Sequence, residues 1–190
     1  MATDLTGLLL AGGRSRRFGS DKALAEIDGV SLIARSYAAL APLCTEVLVG
    51  VGPDERVYPL PGPARIVTDG VPDAGPLAGL AAGLAALRTP WLLVIACDLP
   101  FVTLGVLRSV AEARRGDLDA VVGSTPDGRS QPLCACYSHS VLPAIRSQFE
   151  NGDYALYKLL TRLRTATVPV PHDALRNINA PGDLLPGSRH

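Results

Sequence analysis

Leu8-Leu9-Leu10-Ala11-Gly12-Gly13-Arg14-Ser15-Arg16-Arg17-Phe18-Gly19-Ser20-Asp21-Lys22 is the stretch on which the fold turns. It continues an apolar run, Leu5 to Leu10, broken only by Thr6 and Gly7, with the length and bulk of a buried strand. Gly12 and Gly13 follow at once. Lacking Cβ atoms, they let the backbone turn sharply and bring its N–H groups against an anion. Arg14, Arg16, Arg17 and Lys22 then place four cations within nine residues. A solvated basic loop has the same composition, but cations around paired glycines directly after a buried strand suit a polyphosphate better. The spacing excludes two familiar phosphate loops. Lys22 follows Asp21 rather than glycine, so this is not a Walker loop, and Gly12, Gly13 and Gly19 do not make G-x-G-x-x-G.

Outward from this loop the chain alternates strand-like and helix-like stretches. Ser31 to Leu40 has apolar positions Leu32, Ile33, Tyr37 and Leu40 near helical spacing and stops at Pro42. Glu46 to Val51 is a short strand, and Gly52 to Pro63, dense in proline and glycine, reads as a surface connection. Ala64 to Thr68 is a strand that delivers Asp69, Ala78 to Leu87 a small-residue helix, and Trp91 to Ala96 a fully apolar central strand. Thr103 to Arg114 is an amphipathic helix with Thr103 as its cap. Strands follow at Asp119 to Gly123, Pro132 to Tyr137 and Ala166 to Val170, with a helix at Tyr154 to Arg162. The pattern predicts one domain over 1–190, α/β, a three-layer α/β/α Rossmann-like sandwich around a mostly parallel sheet. Ligands bind such folds at the carboxyl ends of the strands.

Composition bounds the partners. The chain has 190 residues, 18 basic and 18 acidic, so its formal net charge is zero and no nucleic-acid or membrane partner is indicated. No apolar run approaches the ~18 residues of a spanning helix, and the N-terminus lacks signal-peptide order, which predicts a cytoplasmic protein. Cys44, Cys97, Cys134 and Cys136 show no C-x-x-C spacing and read as reduced core thiols.

Asp98, in Ala96-Cys97-Asp98-Leu99-Pro100, leaves the most apolar strand at its carboxyl end. It could cap the next helix, a role Thr103 already fills, or hold magnesium, which takes one or two carboxylates together with phosphate oxygens and water. Thr68-Asp69 with Gly75-Pro76-Leu77-Ala78-Gly79 offers a carboxylate beside a helix start whose free N–H groups face outward. Asn177-Ile178-Asn179 projects two amides to one side of an extended segment, although asparagines near a proline also simply form turns. Gln131, before Pro132 and Leu133, reads equally as a substrate contact or as part of an edge turn.

The pattern carried by Leu10, Ala11, Gly12, Gly13, Ser15, Arg17, Phe18, Gly19, Asp21 and Lys22 resembles the signature of the molybdenum cofactor guanylyltransferases of the nucleotidyltransferase superfamily. The resemblance extends from Leu10 to Leu184. It implies that Asp98 holds the magnesium bridging the nucleotide. It also implies that Leu10, Ala11, Gly12, Gly13, Lys22, Asp69, Gly75, Pro76 and Gly79 line a guanine nucleotide pocket, and that Asn177, Asn179 and Gln131 lie toward the pterin. Asp69 would accept from the guanine ring or from ribose hydroxyls; the residue type serves both. Ala180 and Gly182 stand where the family has threonine and glutamate, and Gly50 and Gly52 where many relatives carry a polar nucleotide contact.

The implied reaction joins GTP and molybdopterin into the guanine dinucleotide cofactor with release of pyrophosphate. Arg17, Lys22 and Asp98 would be the catalytic groups, Mg2+ the cofactor, and molybdenum-insertion and cofactor-delivery proteins transient partners. Two alternatives stay open. One is a CTP-dependent molybdopterin cytidylyltransferase, whose loop usually has alanine at the position of Gly13. The other is a carrier that binds nucleotide or cofactor without turnover.

Overall fold

The computed structural model describes residues 4–11, 21–53, 56–70 and 74–184. Its strands are β1 (Leu5–Leu10), β2 (Glu26–Ile27), β3 (Val30–Ser31), β4 (Glu46–Gly50), β5 (Arg65–Val67), β6 (Trp91–Ala96), β7 (Ala120–Ser124), β8 (Ser130–Ser138) and β9 (Thr165–Pro169). The helices are α1 (Leu32–Leu40), α2 (Pro76–Ala85), α3 (Leu104–Glu112), α4 (Leu142–Glu150) and α5 (Leu156–Leu160). Seven strands form one sheet in the order β5-β4-β1-β6-β8-β7-β9, in which only β8 runs against the rest. β2 and β3 form a separate hairpin around Asp28-Gly29, both with positive φ, as an Asp-Gly two-residue turn requires.

Because β1 and β6 are covered on both faces, neither alternates: β6 is apolar along its whole length and β1 is interrupted only by Thr6 and Gly7. Leu5, Leu9, Leu93 and Ile95 point into one core, shared with Ile33, Leu40, Leu107 and Val110 of α1 and α3. Leu8, Leu10, Leu92 and Val94 point into the other, shared with Leu77, Leu80, Ile145 and Leu159 of α2, α4 and α5. The result is three layers, helices on both faces of a mostly parallel sheet. Local signals start the helices: Ser31 accepts from Ala34 N–H at the head of α1, and Thr103 from Val106 N–H at the head of α3.

Two helices depart from the sequence expectation, and the β2–β3 hairpin was not expected. The helix expected over Tyr154 to Arg162 spans only Leu156–Leu160, because Asp153 accepts the Ala155 N–H in a local turn after Gly152, whose φ is +67°. A further helix, α4, occupies Leu142–Glu150 with Pro143 in its first turn, where a missing N–H costs nothing.

The topology locates a crevice. From β1 the chain winds outward to β4 and β5, then returns across β1 to β6, so strand order reverses between β1 and β6. Open α/β sheets bind ligands at such a switch point, outside the carboxyl ends of the strands.

Candidate active site

Leu10 pairs with Ala96 in the last register of β1 and β6, and the ladder runs on one step, Cys97 N–H donating to Leu10 O at 3.0 Å. Asp98 is therefore the first residue free of the sheet on β6, directly beside the point where Ala11 leaves β1. On the other side Ala11 N–H donates to Gly50 O at 2.9 Å, Val51 N–H to Val67 O at 3.2 Å and Asp69 N–H to Gly52 O at 3.3 Å. The carboxyl edge thus reads Asp69, Gly52, Ala11, Asp98 in strand order. From Asp69 to Asp98 it spans three strand spacings, about 14 Å. Gln131 lies at the same edge, near the start of antiparallel β8, half-buried and in register with Gly123.

Three segments far apart in sequence meet at Asp98. Lys22 Nζ lies 3.2 Å from Asp98 Oδ2 and 3.3 Å from Asn179 Oδ1. The backbone of the Asn177-Ile178-Asn179 segment is tied to the same place, Ile178 N–H donating to Asp98 O at 2.9 Å while the Ile178 side chain is fully buried. Asp183 fixes the following turn by accepting from both Asn179 N–H (2.7 Å) and Ala180 N–H (2.8 Å). Asn177 is exposed beside it. The asparagine pair read from sequence as facing a pterin thus supplies, through Asn179, a ligand for the lysine ammonium. Arg176 lies over the Phe101 ring, 4.4 Å from its centroid, next to this junction.

Lys22 opens a short 3-10 helix, Lys22–Leu24, capped by Asp21, whose Oδ1 accepts from Ala23 N–H at 3.0 Å. Asp21 Oδ2 in turn accepts from Tyr58 OH (2.9 Å) and Arg56 Nη1 (3.1 Å). Tyr58 is nearly buried, and its burial, with the Asp21 carboxylate next, holds the phenol well above its ordinary range. Neither Arg56 nor Tyr58 stood out in the sequence. The available signal was an aromatic residue with a polar tip inside a connection otherwise built from turn formers.

The remaining expected residues take distinct places. The Leu10 side chain is buried, lodged where Gly50 and Gly79 lack side chains; a Cβ on Gly79 would come within 2.6 Å of Leu10 Cδ2, and one on Gly50 within 2.9 Å. Gly79 therefore seats α2 on the end of β1. Gly75, at φ +61°, precedes Pro76 at the N-terminus of α2, and both are exposed there. The first-turn amides, beginning with Leu77, carry the partial positive charge of a helix start. Asp69 is half-buried, and that burial raises its pKa. Gly12, Gly13 and Arg17 lie outside the described residues. Among the described residues no three His, Cys, Asp or Glu side chains gather as a metal cage. Cys97, behind Asp98, is buried; burial, and then the Asp98 charge, push its thiol up to about 12, which suits a core thiol rather than a nucleophile. Among the described residues no helix is long and apolar enough to cross a membrane.

A family model described as a MobA-like NTP transferase domain matches residues 7–168. The chain is 38% identical to a probable molybdenum cofactor guanylyltransferase of Chloroflexus aggregans, over 95% of this chain and 91% of that one. It is 35% identical to a molybdenum cofactor guanylyltransferase of Bordetella petrii, over 79% of each. Among solved structures it resembles the molybdopterin-guanine dinucleotide biosynthesis protein A of Archaeoglobus fulgidus, with 25% identity, a TM-score of 0.76 and 94% of each chain covered.

Proposed function

Because the chain belongs to the molybdenum cofactor guanylyltransferases among the MobA-like NTP transferases, we propose that it transfers GMP from GTP to the terminal phosphate of molybdopterin, releasing pyrophosphate. The observation that supports a transferase rather than a carrier is the convergence of Lys22, Asp98 and Asn179 at the switch point. A carrier needs affinity for phosphate, but not a cation and a carboxylate held together where the chain leaves two central strands.

In this reading the triphosphate lies across the ends of β1 and β6. The loop amides from Gly12 onward, with Arg17 and Lys22, bind its oxygens, and Lys22 neutralises charge that grows on the α-phosphate and the departing pyrophosphate. Nucleophile and leaving group are both phosphates that are ionised before the reaction begins, so no general base is needed. Alignment of the pterin phosphate with the α-phosphorus and charge stabilisation carry the rate. The base would lie toward Asp69 and the start of α2 at Gly75 and Pro76, about three strands away along the edge. Gln131, Asn177 and Asn179 bound the other end, where the acceptor enters.

The donor set fits Mg2+. A half-buried carboxylate at the sheet edge, with no preformed cage of His, Cys, Asp or Glu side chains among the described residues, suits an ion that keeps its waters and completes its shell with substrate phosphates. Asp98 would hold it, and the ion supplies charge neutralisation at the triphosphate when bound.

Pyrophosphate release with molybdopterin, measured with GTP or CTP as sole nucleotide, tests the proposal. Turnover with GTP at a kcat/KM at least tenfold above that with CTP is expected. Turnover with CTP alone would reassign the protein as a cytidylyltransferase, and cofactor binding without turnover of either nucleotide would make it a carrier.

A further inference from the structure

The segment between β4 and β5 reads from sequence as a surface connection, yet it reaches back to the residue before Lys22. Tyr58 is 7% exposed, its hydroxyl 2.9 Å from Asp21 Oδ2, and Arg56 donates to the same oxygen from 3.1 Å. The far end of the segment is anchored independently, Tyr37 OH donating to Pro63 O at 2.9 Å. Gly62 packs so closely on that tyrosine that a Cβ there would come within 2.6 Å of its hydroxyl oxygen. Asp21 meanwhile uses its other oxygen to cap the 3-10 turn that carries Lys22. A carboxylate that divides its two oxygens between a turn cap and a strap from another part of the chain fixes where that turn sits.

We propose that Tyr58 and Arg56 are positioning residues that act through Asp21 to hold Lys22 at the triphosphate. This rests on the reading of Lys22 as a triphosphate ligand. Lys22 has four rotatable side-chain bonds, and its Asp98 and Asn179 contacts constrain only the ammonium. The backbone from which it springs is set by Asp21. Removing the Tyr58 hydroxyl leaves Asp21 with the half-exposed Arg56 as its partner from the strap, and the turn loses one of the bonds that tie it to the segment between β4 and β5. An aromatic ring in the same place keeps the core contacts of Tyr58, so the substitution isolates the hydroxyl.

The test is a double-mutant cycle on Tyr58→Phe and Lys22→Ala, read by binding of inorganic tripolyphosphate and, in parallel, by turnover with GTP. Tyr58→Phe is expected to weaken tripolyphosphate binding roughly tenfold, to cost little in thermal stability, and to leave KM for the pterin unchanged. In the Lys22→Ala background the same substitution is expected to cost less than twofold, because its effect passes through the lysine. Arg56→Lys should keep most of the binding and Arg56→Ala lose severalfold. Equal losses from Tyr58→Phe in both backgrounds, or a loss matched by a large drop in melting temperature, would overturn the proposal. Tripolyphosphate carries no base and undergoes no transfer. The binding cycle therefore judges the strap even if turnover shows that GTP is not the substrate.

Discussion

Asp98→Asn changes one charge and almost no volume, and its effects on stability and on turnover should differ widely. In the resting protein the carboxylate pairs with Lys22 at 3.2 Å, with side chains 28% and 17% exposed respectively. Coulomb's law at that distance gives about 1 kcal/mol with water's dielectric constant and about 5 kcal/mol at an effective value near 20. Partial exposure and the cost of ordering two side chains pull the net value to the low end, about 1 kcal/mol. For a chain of this length that is a melting shift of about 3 °C. Turnover should respond far more. If Asp98 holds the metal as proposed, it would act on charge redistributed during transfer, and its loss should cost about 4 kcal/mol, or roughly a thousandfold in kcat.

Metal-free binding of GTP sharpens the contrast. There the Asp98 charge repels the triphosphate and engages Lys22, so Asp98→Asn should bind GTP without metal as well as or better than the wild type, while the gain in affinity on adding Mg2+ disappears. Initial-rate pyrophosphate release across a Mg2+ titration, equilibrium binding with and without metal, and thermal melts on one preparation decide the matter. Turnover within tenfold of wild type, a Mg2+ increment that survives the substitution, or a melting drop above about 10 °C that accounts for the lost activity would refute this role for Asp98.

Other substitutions separate the parts of the site. Asn179→Ala releases one of the side-chain contacts on the Lys22 ammonium, so kcat/KM for GTP should fall about three- to tenfold with little change in melting temperature; an effect confined to pterin KM would return Asn179 to the acceptor alone. Gly79→Ala forces Leu10 out of the space it shares with Gly50, and should cost about 1–3 kcal/mol of stability by denaturant unfolding. If stability holds and only GTP binding falls, Gly79 is a ligand residue rather than a packing one. Asp69 has its pKa raised by burial, so the folded protein retains that proton to higher pH than the unfolded chain does. Its contribution therefore weakens stability as pH climbs through and above the ordinary carboxylate range. Asp69→Asn should raise the melting temperature at pH 7 and leave it unchanged near pH 3. The opposite dependence would show the carboxylate to be paired rather than desolvated.

Much of the fold was readable because period and punctuation agreed. Leu5 to Leu10 and Trp91 to Ala96 lack alternation because both their faces are covered, and Ser31 and Thr103 mark helix starts by chemistry that acts within one turn. α4 was hidden because Pro143 looks like a breaker unless one knows that it occupies the first turn, and because the buried face includes Gln148, whose amide donates to Ala155 O. Of the site, the position of Asp98 could be read because it directly follows an apolar strand and so falls at the carboxyl edge of the sheet. The role of Asn179 could not, since its partner Lys22 lies 157 positions away and only the return of the chain from edge strand β9 to the end of β6, where Ile178 N–H meets Asp98 O, brings them together. Asp21 was visible as a motif residue, but its strap to Tyr58 depends on the course of a proline-rich connection that carries no periodic signal.

A crystal structure of the protein with GTP and Mg2+ tests the central claim most directly. The triphosphate is expected across the ends of β1 and β6, the metal in contact with the Asp98 carboxylate, Lys22 on a phosphate oxygen, and the base toward Asp69 and the head of α2. A triphosphate bound elsewhere on the sheet edge, with Lys22 still paired to Asp98 and no metal between them, would contradict it.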